Sequence, residues 1–432
     1  MPEGAFPASI AEAAARLRAG ELTSLSLVER CLTKIEALQP KLNAFITVTT
    51  DVALAAARER DAELKGRLDR GALHGIPIVH KDCFDTAGIR TTVGAEIFRN
   101  RVPRSDATVV QRLAAAGAVM LGKTHMNEFA AGMSGRNAFF GDAHNPRDTT
   151  CAAGGSSSGS ACAIAAQLCL GASGTDAGGS IRLPAAWTGI VGLRPTYGLV
   201  STAGAFPRSH SFDCAGPLAA NVSDAALLLQ VMAGLEPTRP AAAPASLAGT
   251  RLGIVPHPSL RAALDTLNRL GAQLREVQLP ALEERSFFDI LLYEFHEILG
   301  DEYRAKVQQE KRFGPVVRAN LERGAMTSIE DCRAAREARE RFVRALRQTF
   351  TAVDALVMAT APMTALPLEA PESDFDRARQ FTIPFSLAGL PAISMPCGLD
   401  ERGLPLGMQI AGERLREPMI LRIAAAYEAA RR

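Results

Sequence analysis

Apolar positions along the chain switch repeatedly between a helical spacing and short continuous runs. Leu25, Leu27, Val28, Cys31, Leu32 and Ile35 recur on one helix face. That helix is predicted to start at Thr23 or Ser24, either of which can cap it, and to reach about Leu38. Ser9 predicts an earlier helix to about Leu17, and Asp51 opens a charged amphipathic one to about Leu68. Short apolar runs predict strands at Ala44–Val48 and at Gly75–His80, with Lys81 at the exit of the second. Asp106 is read as the cap of a helix through Gly117, followed by a strand at Ala118–Leu121.

The alternation continues with helix Gly159–Gln167, strand Leu170–Gly174, helix Ser223–Ala233 and strand Arg251–Val255. Helix Ser259–Leu270 and strand Arg275–Leu279 follow, then long helices from Glu284 to about Thr349. Strands at Asp354–Met358, Pro391–Met395 and Leu406–Ala411 precede a last helix from Pro418. Such alternation predicts an α/β fold with a largely parallel, covered sheet. No fixed-period repeat is visible. The segment Pro237–Pro244, running on to Leu247, reads as a surface crossover within one domain spanning residues 1–432.

Composition narrows the function classes. A hydrophobic share of 47% and a charged share of 22% over 432 residues describe a folded chain with an ample core. Lys+Arg 48 against Asp+Glu 46 leaves +2, which lacks the broad electrostatic footprint of a nucleic-acid binder. The start, MPEGAFPAS, has neither the basic nor the apolar region of a signal peptide. The most apolar stretch, Ser160–Ser173, is broken by Gln167 and falls short of the ~20 residues that span a bilayer. A cytoplasmic protein with no membrane partner is the expectation. The eight cysteines form no CxxC and the histidines no HExxH, so the cysteines read as buried thiols and no zinc site is read.

Two motif matches fail on context. Gly117-Ala-Val-Met-Leu-Gly-Lys-Thr124 has the letters of a phosphate-binding loop, but a helix precedes it and its inner residues are an apolar strand. Gly117 reads instead as the C-cap of that helix. Gly155-Ser-Ser-Ser-Gly159 has the letters of a nucleophile elbow, which would make Ser157 the nucleophile of a Ser/His/Asp hydrolase. The preceding Pro146–Gly154 reads as loop where the elbow needs a strand, and none of His210, His257 and His296 sits in a convincing context.

The chemistry is concentrated in two segments, Gly154-Gly-Ser-Ser-Ser-Gly-Ser160 and Gly174-Thr-Asp-Ala-Gly-Gly-Ser-Ile-Arg-Leu-Pro184. Gly178 and Gly179 stand directly before Ser180, a residue that can open a helix. Glycines let consecutive backbone N–H groups converge on one point, the geometry an oxyanion hole requires. A serine at its rim is a nucleophile candidate and needs a base. Lys81 ends an apolar strand, where sites of α/β sheets lie.

These segments are similar to the signature of the amidase signature family. The supporting matches are Leu73–Asp82, Gly122–Phe129, Gly189–Gly198, Leu390–Pro396 and Gly403–Gln409, so the resemblance runs from about Ser9 to about Tyr427. It implies the family's fold, a large mixed, mostly parallel sheet covered by helices on both faces. It also implies a Ser–cis-Ser–Lys triad that works without a cofactor or metal: Ser180 as nucleophile, Ser156 as bridging serine, Lys81 as base. The N–H groups of Ala177, Gly178, Gly179 and Ser180 would form the oxyanion hole. Ser157 would support by hydrogen bonding, and Asp176 and Arg182 would brace the loop as an ion pair. Lys81 must then be neutral, with its pKa brought from ~10.4 towards ~7–8. Burial would do this and Asp82 would oppose it.

The resemblance implies an amidase releasing ammonia or an amine from a small-molecule amide. The stand-alone form is favoured, with a homodimer expected by analogy. The alternative is the glutamine-hydrolysing A subunit of a tRNA-dependent amidotransferase. Ser286–Arg323 does not resemble that subunit's glutamine-site segment. Met133 and Ser134 are the pocket candidates, Phe381–Leu390 is read chiefly as core, and no basic cluster announces a carboxylate-bearing substrate.

Overall fold

The structure, a computed structural model, describes residues 5–236, 243–306 and 312–431. Most of the expected crossover, residues 237–242, lies outside the described residues. Among the described residues thirteen strands occur in chain order: β1 Phe45–Val48, β2 Pro77–Lys81, β3 Val119–Thr124, β4 His144–Asn145, β5 Asp148–Ala152, β6 Gly171–Asp176, β7 Val191–Arg194, β8 Cys214–Ala219, β9 Arg251–Ile254, β10 Gln273–Glu276, β11 Ala355–Ala359, β12 Ala392–Leu399 and β13 Pro405–Ala411.

Eleven strands form one mixed sheet in the order β1-β3-β2-β6-β8-β7-β12-β13-β11-β9-β10, and β4 and β5 form a separate two-stranded sheet. Parallel pairings join β3, β2 and β6 on one flank and β11, β9 and β10 on the other. Between the flanks the pairings are antiparallel, from β6–β8 through β12–β13 to β11–β13. Helix–strand alternation announces the flanks but not this middle block, where β7 leads to β8 and β12 to β13 with no helix between them.

Helices cover both faces of the sheet. Neighbouring residues of a strand point to opposite faces. Ile78 joins one apolar cluster with helices Ile10–Arg18 and Val222–Ala233, while Val79 joins another with helices Ser24–Leu42 and Ser158–Ala165. On the far flank Val357 and Ile393 face the first cluster, and Leu356 and Ala392 face a third one built on helix Ile329–Phe350.

The helix ends agree with the sequence reading in part. Ser9 accepts from Glu12 N, and Thr23 and Ser26 form a reciprocal capping box. The second helix continues past Leu38 and through Pro40 to Leu42, where left-handed Asn43 ends it. Asp106 does not cap its helix, because its carboxylate accepts from Ala87 N instead and Ala107 holds the cap position. Gly117, at φ +87°, does terminate that helix, and Gly122-Lys-Thr124 lies in β3, which excludes a phosphate loop there. The segment before Ser157 is not all loop, since Asp148–Ala152 is β5. All eight cysteines are buried free thiols. Among the described residues, no helix is long and apolar enough to cross a membrane.

Gly159 shows how closely the site helix approaches its neighbours. A Cβ there would collide with the carbonyl oxygen of Ala44 and the backbone nitrogen of His125, neither of which can swing away. Gly159→Ala is therefore expected to lower stability by about 1–3 kcal/mol or more in urea denaturation. Gly66→Ala, where a Cβ meets only ordinary contacts, is expected to be near neutral. Equal midpoints for the two variants would contradict this packing.

Candidate active site

Strands β2 and β6 run parallel, so their carboxyl ends, Lys81 and Asp176, emerge at one edge of the sheet. Above that edge, the turn leading from β5 to helix Ser158–Ala165 carries Ser156 and Ser157, and the turn after β6 carries Ala177–Ser180. The Gly155–Ser156 peptide bond is cis. Ser157 N donates to Ser180 O at 3.1 Å, which ties the two turns together.

Lys81 is fully buried. Its ammonium Nζ donates to Ser156 Oγ at 2.8 Å and to Thr175 Oγ1 at 2.7 Å. It has no carboxylate partner in contact among the described residues. Burial pushes its pKa below the ordinary lysine value, against weaker opposition from Cys83, Asp213 and Asp176. Asp82, expected to oppose that shift, is turned away: its Oδ2 accepts from Thr92 N at 2.8 Å and from Thr92 Oγ1 at 2.5 Å. The alternation along the chain separates the two neighbours.

The glycine turn is built around Asp176. Its Oδ1 accepts from Gly179 N at 2.7 Å and its Oδ2 from Ile181 N at 3.1 Å. Arg182 grips both carboxylate oxygens, at 3.0 Å each, and Arg194 reaches Oδ1 at 3.4 Å and also the Asp176 carbonyl. All three side chains are fully buried. Burial alone would raise the Asp176 carboxyl, but the two guanidiniums outweigh it and hold the group well below the usual carboxylate range. The expected Asp176–Arg182 pair is thus present, and Arg194, a second cation to which the sequence reading gave no role, completes it.

This geometry corrects one expected oxyanion-hole member. The Gly179 N–H is already committed to Asp176, whereas no protein acceptor among the described residues takes the N–H of Ala177, Gly178 or Ser180. Gly179, at φ +121°, is needed for another reason: a Cβ would collide with Thr382 Oγ1, which itself donates to Gly178 O at 2.8 Å. Phe385 and Leu387 of the Phe381–Leu390 segment are buried in the core, as read, while Thr382 braces the turn.

Ser180 lines a cavity of about 270 Å³ together with Ala177 and Gly178, Phe288 and Leu291, and the arginines Arg208 and Arg379. Its Oγ donates to Met133 Sδ at 3.8 Å, which places Met133 beside it. Ser134 is not brought to Ser180. Its hydroxyl accepts from Asn127 Nδ2 at 3.3 Å and from Arg136 N at 3.1 Å, so it is spent on its own turn. Ser157 Oγ donates to Thr175 O at 3.2 Å, and no histidine contacts it among the described residues, which leaves a Ser/His/Asp assembly on Ser157 without a base. Thr175 and Arg208 were not singled out from sequence.

Comparison with known proteins agrees with this layout. Residues 26–421 match the family model described as Amidase. The chain is 37% identical to the A subunit of the glutamyl-tRNA(Gln) amidotransferase of Acaryochloris marina, covering 94% of this chain and 95% of that protein. A solved amidase superimposes with a TM-score of 0.89 at 33% identity, covering 98% of this chain and 99% of the other. The native peptide amidase of Stenotrophomonas maltophilia does so with a TM-score of 0.86 at 33% identity, covering 99% and 98%. The chain belongs to the amidase signature family, whose members are hydrolases of C–N bonds.

Neutralising the central carboxylate leaves two buried guanidiniums without their counter-charge. Asp176→Asn is expected to lower unfolding free energy by about 3–5 kcal/mol in urea denaturation at neutral pH. Because the folded pKa is depressed, the wild-type contribution is fully present above the unfolded value of about 3.9 and is lost as pH falls toward the folded value. A variant as stable as wild type at pH 7 would contradict the bracing role.

Proposed function

We propose that this amidase cleaves linear amides through an acyl-enzyme on Ser180, with Ser156 relaying protons to and from Lys81. The observation that carries the reading is the buried Lys81 amine, held between two hydroxyls with no carboxylate in contact among the described residues. A lysine so placed is the site's natural proton acceptor, because burial favours its neutral form.

In the proposed cycle, neutral Lys81 takes the Ser156 proton as Ser156 takes that of Ser180. The Ser180 oxygen forms a bond to the amide carbon, and the resulting oxyanion is held by the N–H groups of Ala177, Gly178 and Ser180. Collapse breaks the C–N bond, and Ser156 returns its proton to the departing nitrogen while regaining one from Lys81. Water then attacks the ester by the same relay, releasing the carboxylic acid and restoring Ser180. Ser157 and the Asp176–Arg182–Arg194 group position the two turns.

A second reading, the glutamine-hydrolysing A subunit of a tRNA-dependent amidotransferase, is favoured by the full-length similarity to such subunits. The structural likeness to a peptide amidase supports the stand-alone form. Ammonia or amine release by the purified chain across an amide panel that includes free glutamine separates them. Turnover of simple amides by the chain alone is expected, and turnover of glutamine only, or only with a partner present, would select the second reading.

Ser180→Ala is expected to reduce kcat/KM at least ~10⁴-fold, with Lys81→Ala comparable and Ser156→Ala losing ~10²–10⁴-fold. Full activity of Ser180→Ala would overturn the assignment. With Lys81 as base, kcat/KM rises with pH while the lysine deprotonates, and this limb lies below the ordinary lysine pKa of about 10.4. A pH–rate profile that is flat there, or the same limb in Lys81→Ala, would assign the base elsewhere.

A further inference from the structure

The wall of the cavity that reaches Ser180 holds a buried cation, Arg208, for which no ion pair forms among the described residues. Arg208 is 5% exposed, yet its Nη1 has no hydrogen-bond partner. Of the other charges of the cavity wall, Arg323 lies over the Phe288 ring and three are accounted for by ion pairs. Glu372 pairs with Arg136, and Asp376 pairs with Arg379. Asp213, close in sequence, spends its carboxylate on the backbone N–H groups of Arg208 and Ser209, at 2.7 and 3.1 Å.

What holds Arg208 in place is aromatic. Its guanidinium carbon lies 3.7 Å from the centroid of the Phe295 ring. Stacking fixes the plane of the fork but accepts none of its in-plane N–H bonds. Burial, with Arg379 nearby, weakens its hold on the proton and pushes the pKa down to about 9, against opposition from Asp213. A buried guanidinium with an empty fork is costly by itself and is relieved by a planar anion with two acceptor oxygens.

Resting on the amidase reading above, we infer that Arg208 is a specificity residue that binds a carboxylate on the substrate, so that the amides cleaved at Ser180 are carboxylate-bearing ones. The residue lines the same cavity as the nucleophile and the oxyanion donors, so one ligand spans both. The sequence shows no basic cluster that announces such a substrate. A single arginine gives no cluster to read, and only the fold brings residue 208 to the wall that holds residue 180.

The test compares kcat/KM for succinamate, glutaramate, adipamate and N-acetylglycine, each beside the amide in which a methyl ketone replaces the carboxylate. Wild type is expected to prefer the carboxylate of its best pair by about 100-fold, about 2.8 kcal/mol at 1.4 kcal/mol per tenfold. Arg208→Leu is expected to abolish that preference and Arg208→Lys to restore part of it. A role confined to packing would lower both members of a pair alike and leave the ratio unchanged, which overturns the inference, as does a wild type with no preference in any pair. Calorimetric binding of succinate, glutarate and adipate to Ser180→Ala protein, with and without Arg208→Leu, gives a readout independent of turnover. Binding that the arginine variant loses, with no amide cleaved by wild type, keeps the anchor and removes the amidase reading. Cleavage of neutral amides with no dicarboxylate bound does the reverse.

Discussion

The Asp176 carboxylate between two buried guanidiniums is the interaction on which the rest of the site depends. Three fully buried charges are tolerable because each is paired and, Arg194 Nε apart, the guanidinium nitrogens find acceptors. The same carboxylate accepts from Gly179 N and Ile181 N, so the ion cluster and the turn that presents Ser180 are one unit. Arg182 extends this unit to Ser386 Oγ at 2.7 Å and to the Thr382 carbonyl at 3.0 Å. The antiparallel middle of the sheet supplies Arg194 on β7, and the parallel flank supplies Asp176 on β6. The turn thus sits where the two parts of the sheet meet.

Two buried lysines on adjacent strands show how partner choice sets the state of an amine. Lys123 donates to Thr86 and Thr91 hydroxyls and to the Phe84 carbonyl, and burial brings its pKa to about 8 although Asp82 opposes the shift most. Lys81 has hydroxyl partners only, and the charges that oppose its shift are Cys83, Asp213 and Asp176, none of them in contact with it. Asp82 bears on Lys123 through its charge alone, since its bonded carboxylate oxygen faces Thr92. Among the described residues neither lysine has a carboxylate in contact; Lys81 differs in bonding Ser156, which is what supports the proposed proton-accepting role.

Much of this was legible in the chain. The periodic helices, the strands flanked by turn residues, and the two Gly/Ser segments were readable because local pattern and tertiary outcome agree there. Strands β7 and β8 were not read, since Val191–Arg194 and Cys214–Ala219 follow motifs rich in glycine and proline rather than clear alternation. The family resemblance implies Gly179 as an oxyanion-hole donor, but the side chain three residues earlier claims its N–H. Thr175 and Arg208 carry no motif of their own. Their positions beside Lys81 and on the Ser180 cavity arise from a contact across 94 residues of chain and from the stacking of Arg208 on Phe295.

The central claim is that Ser180 is the nucleophile and that neutral Lys81 activates it. Covalent labelling tests it most directly: the purified chain is treated with a fluorophosphonate probe and the adduct is located by peptide mass spectrometry, with labelling rates measured for wild type and Lys81→Ala. The account predicts a single adduct on Ser180, formed far more slowly in Lys81→Ala. An adduct on Ser157, or labelling of Ser180 at the same rate without Lys81, would contradict it.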